Sequence, residues 1–405
     1  MKTPEILSPA GNLEKLIYAV NYGADAVYCA FDRFGMRTAA DNFSPEQLGQ
    51  GIEYAHSHSA RVYLTLNTMP KDTELTLLRE YLRHANELKP DAYIVSDPGV
   101  IELVKEHIVN PVIHLSTQAN TLNSAACRFW YNNGVKRIVL ARELSMSDIK
   151  EIRRNTPSEL ELECFVHGAM CISYSGRCLL SNYYVNRDAN GGACAQSCRW
   201  RYFLHEEKRS DDVIVAEQYP EGTYLFSSRD LCMIEHIPEL VDAGVDSLKI
   251  EGRVKSAYYT AATTNAYRMA LRDYITDPKS YSFNNEYKKE VESVSHREFD
   301  TGYFFSSPSE NANVVKSNEY IKEKAFLCTV SEFDESKKLA KCIQRNKLSV
   351  GDGANILSPG STGRDIVIGN MYDIDMNPIE SAPHAKMEFF LEIDSAKSGD
   401  IIRGV

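Results

Sequence analysis

Along the first 250 residues, short apolar runs rich in β-branched residues alternate with longer stretches whose apolar positions recur every three or four residues. The short runs are Glu5–Leu7, Ala26–Cys29, Val62–Leu66, Ala92–Val95, Val112–Leu115, Arg137–Leu140, Leu160–Phe165 and Ser247–Ile250. Between them, Asn12–Tyr22, Ser44–Ser57, Thr73–Leu88 and Ser145–Asn155 carry the helical period. Apolar strands separated by helices mark βαβ units and a parallel sheet. Eight such strands predict a (β/α)8 TIM-like barrel. An open doubly wound sheet has the same periodicity and stands as the alternative.

The residues that follow these runs are polar: Ser8, Asn67, Asp97, Ser116 with Gln118, Arg142 with Glu143, His167, and Glu251 with Arg253 and Lys255. In a closed parallel barrel all of them gather at the C-terminal face, where barrel active sites lie. Asn67, Asp97 and Gln118 are pocket-lining candidates by position alone. Arg142 and Arg253 have two readings, a two-point grip on a carboxylate or phosphate or an ion pair bracing the rim with Glu251 or Glu143. His167 suits proton transfer or an orienting hydrogen bond. Glu163 suits catalysis or a buried ion pair. The turn Ser8–Gly11 offers amides to an anion, or packs the strand against its helix.

Beyond this the pattern changes. Residues 168–223 form a long, cysteine- and glycine-bearing connection, and long connections in compact domains tend to be functional or disordered. Its stretch Arg209–Pro220 reads as a flexible excursion. Ala257–Tyr274 reads as a long amphipathic helix and Asp277–Asn313 as polar and poor in pattern. From about Lys316, strand-length alternation with turns predicts a small C-terminal antiparallel β-barrel. The expected domains are a catalytic barrel over 1–275, a linker or peripheral helical region over 276–315, and a β-barrel over 316–405 that is a candidate RNA-binding domain.

A chain of 405 residues, 43% hydrophobic and 25% charged, suits one large domain and one small one. MKTPEILSPAGN has neither the apolar core nor the cleavage site of a leader. No run approaches the ~20 apolar residues that span a bilayer. A cytoplasmic protein without membrane contact is expected. The net charge of −11 argues against broad non-specific nucleic-acid binding but leaves room for a local basic patch. Two patches qualify. Arg199, Arg201, Lys208 and Arg209 are interleaved with Trp200 and Tyr202, which suits phosphates held beside stacked bases. Lys337, Lys338, Lys341, Arg345 and Lys347 lie on the C-terminal strands. Charge runs are more often plain solvated surface.

Five of the ten cysteines fall between Cys164 and Cys198. Reducing conditions disfavour disulfides, and the scattered Cys29, Cys127, Cys328 and Cys342 read as packed apolar thiols, as does Cys164. Cys171, Cys178, Cys194 and Cys198 are separated by six, fifteen and three residues. Four thiolates on a loop with Gly176, Gly191 and Gly192 can wrap an iron–sulfur cluster. A four-cysteine zinc site and unligated thiols are the other readings, and Cys232 is a rival fourth ligand. There is no His-Glu-x-x-His and no Gly-x-Ser-x-Gly motif.

The run Glu163-Cys-Phe-Val-His-Gly-Ala-Met-Cys171, followed by Gly176-Arg177-Cys178 and Ser181, resembles the signature of the collagenase-like peptidases of unknown catalytic type. So do the opening SPAGN, Gly23–Tyr28, Ala40–Ser44 and Lys249–Ser256. GACAQSCRW and SSRDLCMIEHIPEL are similar to the branch of prephenate-dependent tRNA uridine 5-hydroxylation proteins. The resemblance implies a [4Fe–4S] cluster and oxygen-independent formation of 5-hydroxyuridine at the tRNA wobble position. It also implies prephenate, or a compound derived from it, as a requirement, with the tRNA anticodon loop as partner. Hydroxylation of ribosomal RNA or a quinone precursor, and peptidase activity, are the alternatives. Homo-oligomers and a paralogous partner are both compatible with the sequence.

Overall fold

The structure is a computed structural model that describes residues 2–31, 34–36, 42–200, 228–306, 320–321 and 323–405. Arg201, Tyr202, Lys208, Arg209 and the excursion Arg209–Pro220 lie outside the described residues. The chain forms two compact units. One comprises Met1–Ile17, Asp25–Lys255 and Arg297–Tyr320; the other Tyr18–Ala24, Ser256–His296 and Ile321–Val405. Residues 276–306, within the stretch read above as a linker or peripheral helical region, are therefore shared between the two.

The first unit is built on β1 (Glu5–Pro9), β2 (Ala26–Cys29), β3 (Arg61–Leu66), β4 (Ala92–Val95), β5 (Ile113–Leu115), β6 (Val135–Val139), β7 (Glu161–Ala169), β8 (Asp230–Cys232), β9 (Ser247–Ile250) and β10 (Phe299–Asp300). Neighbours from β1 to β7 pair in parallel, β7 pairs with β9, and β9 returns to β1. Eight parallel strands thus close into a barrel, and the open-sheet alternative falls. Each barrel strand is buried along nearly its whole length, which is why the runs read as continuously apolar. β8 and β10 lie outside this ring. β8 runs antiparallel to the upper end of β7, His167 opposite Cys232, and β10 pairs with β8.

The helices are α1 (Leu13–Asn21), α2 (Pro45–Ser57), α3 (Asp72–Leu88), α4 (Pro98–His107), α5 (Ser124–Asn132), α6 (Met146–Arg154), α7 (Leu180–Val185), α8 (Ile237–Asp242), α9 (Ala257–Thr276) and α10 (Asn285–Glu292). Local chemistry sets their starts. Ser44 and Ser145 form capping boxes with Gln47 and Asp148. Asp97 caps α4 by accepting a hydrogen bond from Val100 N at 3.1 Å, with Pro98 at the first helical position. Gly11 packs rather than opens its turn: a Cβ there would stand 2.1 Å from the Arg253 carbonyl oxygen. No described helix is long and apolar enough to cross a membrane.

The second unit carries an antiparallel sheet in the order Arg364–Val367, Gly353–Leu357, Ile401–Gly404, Phe326–Asp334, Leu339–Gln344, Glu388–Glu392, Met371–Tyr372, Pro378–Ile379. The sheet is antiparallel as expected, but its two end strands do not pair with each other, so it is a half-barrel rather than a closed one. Cys328, Cys342, Ile356, Phe389 and Ile402 pack in its core. Within the same unit, Arg403 grips Glu290 through Nη1 and Nη2, each at 2.7 Å.

Candidate active site

Where the barrel strands end, the first unit encloses a cavity of about 1000 Å³, counting its open mouth. Tyr28 reaches it from β2, Thr65 and Asn67 from the end of β3, and Gln118 from the turn after β5. Arg142, Phe165, Lys249, Glu251 and Arg253 complete the wall, and Cys171, Cys178, Cys194 and Cys198 line the side formed by the long connection. That connection is laced to the rim. Ser175 donates through N and Oγ to Glu143 at 2.6 and 2.8 Å, and Arg177 Nε donates to the Gln118 carbonyl at 3.0 Å. Gly176 takes φ +85°, a conformation few side chains tolerate.

The four thiols form one electrostatic group. Burial pushes the Cys198 thiol up to about 11, with Cys171, Cys194 and Cys178 adding to the rise and Arg199 opposing it. Backbone amides support two of them: Leu180 N donates to Cys178 Sγ and Gln196 N to Cys194 Sγ, both at 3.3 Å. Such donors stabilise thiolate charge and tune cluster potentials. Among the described residues no group of three or more His, Cys, Asp or Glu side chains is placed to hold a metal ion. The four thiols that line one cavity are, as a donor set, what an iron–sulfur cluster requires. Cys232, half-buried on β8, is not among the residues lining the cavity.

The polar wall opposite the cysteines is ordered by neighbours. Arg253 is buried and donates to Thr65 Oγ1 at 3.1 Å. Arg142 lies 3.9 Å over the Phe165 ring and donates to the Ala169 carbonyl at 3.4 Å. The Tyr28 hydroxyl is 3.0 Å from both Glu251 Oε2 and the Ile250 carbonyl; burial, then Glu251, raises its pKa. Gln118 is 5% exposed, and among the described residues its Oε1 has no hydrogen-bond partner.

Other candidates stand elsewhere. Glu163 is fully buried between Lys249 Nζ at 2.8 Å and Arg137 Nη1 at 3.1 Å, the ion pair rather than a cavity acid. The His167 ring faces Phe299 at 5.3 Å between centroids and does not line the cavity. Asp97 is the cap of α4. Arg199 donates to Gln196 Oε1 and to the Tyr320 hydroxyl, and Lys255 sits 4.6 Å over the Tyr320 ring. Burial lowers the Lys255 ammonium pKa; Arg297 and Arg199 lower it further, against Asp230. In the other unit, Lys337, Lys338 and Lys341 are paired with Asp334, Asp394 and Glu388, so that charge run is a solvated, largely neutralised face. Tyr28 and Lys249 were missed in the sequence. A lysine between Leu248 and Ile250 in the buried strand Ser247–Ile250 was the available signal, since a buried ammonium requires a carboxylate.

Residues 11–313 match the model of peptidase family U32, and residues 322–403 that of the peptidase family U32 C-terminal domain. Over 383 residues the chain is 37% identical to tRNA hydroxylation protein P1 of Bacillus subtilis, covering 95% of this chain and 90% of that protein. It is 37% identical over 408 residues to tRNA hydroxylation protein P of Helicobacter pylori, covering 99% and 95%. A collagenase of Porphyromonas gingivalis is 32% identical over 310 residues, covering 74% and 73%.

Proposed function

The chain belongs to peptidase family U32, and from that premise we propose that it takes part in oxygen-independent hydroxylation of tRNA wobble uridine to 5-hydroxyuridine. In this reading Cys171, Cys178, Cys194 and Cys198 hold a [4Fe–4S] cluster, and prephenate or a compound derived from it occupies the cavity. The observation that carries the reading is the meeting of four thiols with Arg142, Arg253 and Glu251 in one cavity. The names of the relatives at 37% identity support the RNA substrate, and with it a cytoplasmic location.

When bound, the cluster supplies one-electron redox chemistry. Arg253, steadied by Thr65, presents its guanidinium for a two-point contact with a carboxylate. Arg142, held against Phe165, offers a second cation to a dicarboxylate. Glu251 is positioned by Tyr28 and is the cavity's carboxylate for holding or moving a proton. Gln118, on the cavity wall, brings a polar side chain to the bound molecule. A thiol peptidase needs a histidine beside its nucleophile, and none of the described residues lining the cavity is one.

Nucleoside mass spectrometry of tRNA and ribosomal RNA from cells with and without the gene, grown without oxygen, tests this. Loss of 5-hydroxyuridine derivatives from tRNA alone is expected. A hydroxyl missing only from ribosomal RNA, or no RNA change with a quinone precursor accumulating, would reassign the substrate.

A further inference from the structure

The cysteine connection presents a side chemically unlike the rest of this acidic protein. Between Cys171 and Trp200 stand Arg177, Arg187 and Arg199 against one acid, Asp188, in a chain of net charge −11. Among the described residues neither Arg177 nor Arg187 forms an ion pair. Their Nε atoms donate to the Gln118 and Ala193 carbonyls at 3.0 Å, which fixes each guanidinium without neutralising it. Large apolar side chains lie exposed among these charges: Tyr183 is 81% exposed, Leu179 73%, Tyr184 47% and Trp200 40%. Tyr183 and Tyr184 meet edge to face at 5.1 Å, and Tyr184 continues to Trp200 at 6.4 Å. Two shallow grooves run through this surface. One is lined by Arg177, Leu179 and Tyr183 and shares Cys178 with the cavity; the other by Arg187, Arg199 and Trp200 and shares Cys194.

We infer that this surface is a stacking platform for unpaired bases of an RNA loop, an inference that rests on the RNA reading above and assigns the residues that would hold the loop. Aromatic faces left in water are an unfavourable arrangement for a monomer surface. Arginines beside exposed rings suit single-stranded nucleic acid, with phosphates on the guanidiniums and bases on the rings. Paired strands keep their bases stacked on one another and leave the rings nothing to take. The grooves' shared walls with the cavity set a base held on Tyr183 or Trp200 next to the nucleotide that enters it.

The test uses the full-length protein purified without oxygen and fluorescence anisotropy with a labelled RNA hairpin and a fully paired duplex of matched length. The hairpin is expected to bind more tightly than the duplex. Joint Tyr183→Ala and Tyr184→Ala replacement should weaken hairpin binding at least about tenfold while leaving cluster absorbance unchanged, and Tyr183→Phe with Tyr184→Phe should keep it. Arg177→Gln and Arg187→Gln should each flatten the salt dependence by about 0.7 in logarithmic slope. Unchanged hairpin binding in the alanine variant overturns the inference, as does a change in oligomeric mass with RNA binding intact, which would make the surface a protein contact. Wild-type protein that binds the hairpin through these tyrosines yet leaves tRNA unmodified would remove the hydroxylation reading and leave the platform standing.

Discussion

The lower and upper halves of the barrel interior are both polar, yet they are built in opposite ways. Below, Arg137 touches Glu5 at 2.6 Å, Glu161 at 2.7 Å and Glu163 at 3.1 Å. Lys249 closes on Glu163, Arg61 on Glu5, and Tyr63 and Ser247 fill the remaining Glu5 positions at 2.6 and 3.1 Å. Charge is met by charge, and the network is closed. Above, Arg142 donates to the Ala169 carbonyl and Arg253 to the Thr65 hydroxyl, both side chains line the cavity, and among the described residues the Gln118 amide oxygen has no partner. A cation on a cavity wall is within reach of a ligand; one locked among buried carboxylates is not. The same residue types are scaffold in one half and site in the other.

The comparison breaks most visibly at the cysteines. Replacing Cys171, Cys178, Cys194 or Cys198 by alanine should abolish iron and acid-labile sulfide in anaerobically purified protein, whereas Cys232→Ala should retain both. Next comes Arg137→Ala, expected to destabilise the fold by roughly 3–5 kcal/mol in denaturant unfolding, because it strands buried carboxylates. Arg253→Gln should do the reverse, lowering kcat/KM at least about tenfold, in keeping with a lost charged hydrogen bond, with a smaller stability loss than Arg137→Ala. Gln118→Leu should lower activity without destabilising the fold, since leaving a buried acceptor unmatched costs about 1–3 kcal/mol.

The smallest effect is one of pH. Burial alone would raise the Glu163 carboxyl, but Lys249 and Arg137 outweigh it and hold it below the ordinary glutamate value. Its contribution is therefore complete above the unfolded pKa of about 4.3 and is lost as pH falls through the lower folded value. Unfolding midpoints should hold steady from about pH 7 to 5, decline below about 4, and decline less steeply in Glu163→Gln.

Much of the barrel was legible because burial on both faces writes itself as apolar runs; Ala26–Cys29, Ala92–Val95 and Ser247–Ile250 match residue for residue. β8 and β10 were not, since Asp230–Cys232 and Phe299–Asp300 are too short to carry a period; the first is held by pairing with the upper end of β7 and the second by pairing with β8. The four cysteines were visible through spacing and glycine content. Direction was the hidden variable. His167 and Glu163 lie on the same strand as Phe165, but only Phe165 faces the cavity, and a shift in register between Phe165 and His167 upsets simple alternation. Asp97 looked like a pocket residue because a strand exit and a helix cap call for the same side chain.

The claim that chemistry resides in the upper half and scaffolding in the lower is tested most directly by complementation. Cells lacking the gene would receive wild type, Cys171→Ala or Glu163→Gln at matched protein levels, and their tRNA would be analysed by nucleoside mass spectrometry. The account predicts 5-hydroxyuridine derivatives restored by wild type and, per folded molecule, by Glu163→Gln, with none from Cys171→Ala. Full restoration by Cys171→Ala, or loss of activity in well-folded Glu163→Gln, would contradict it.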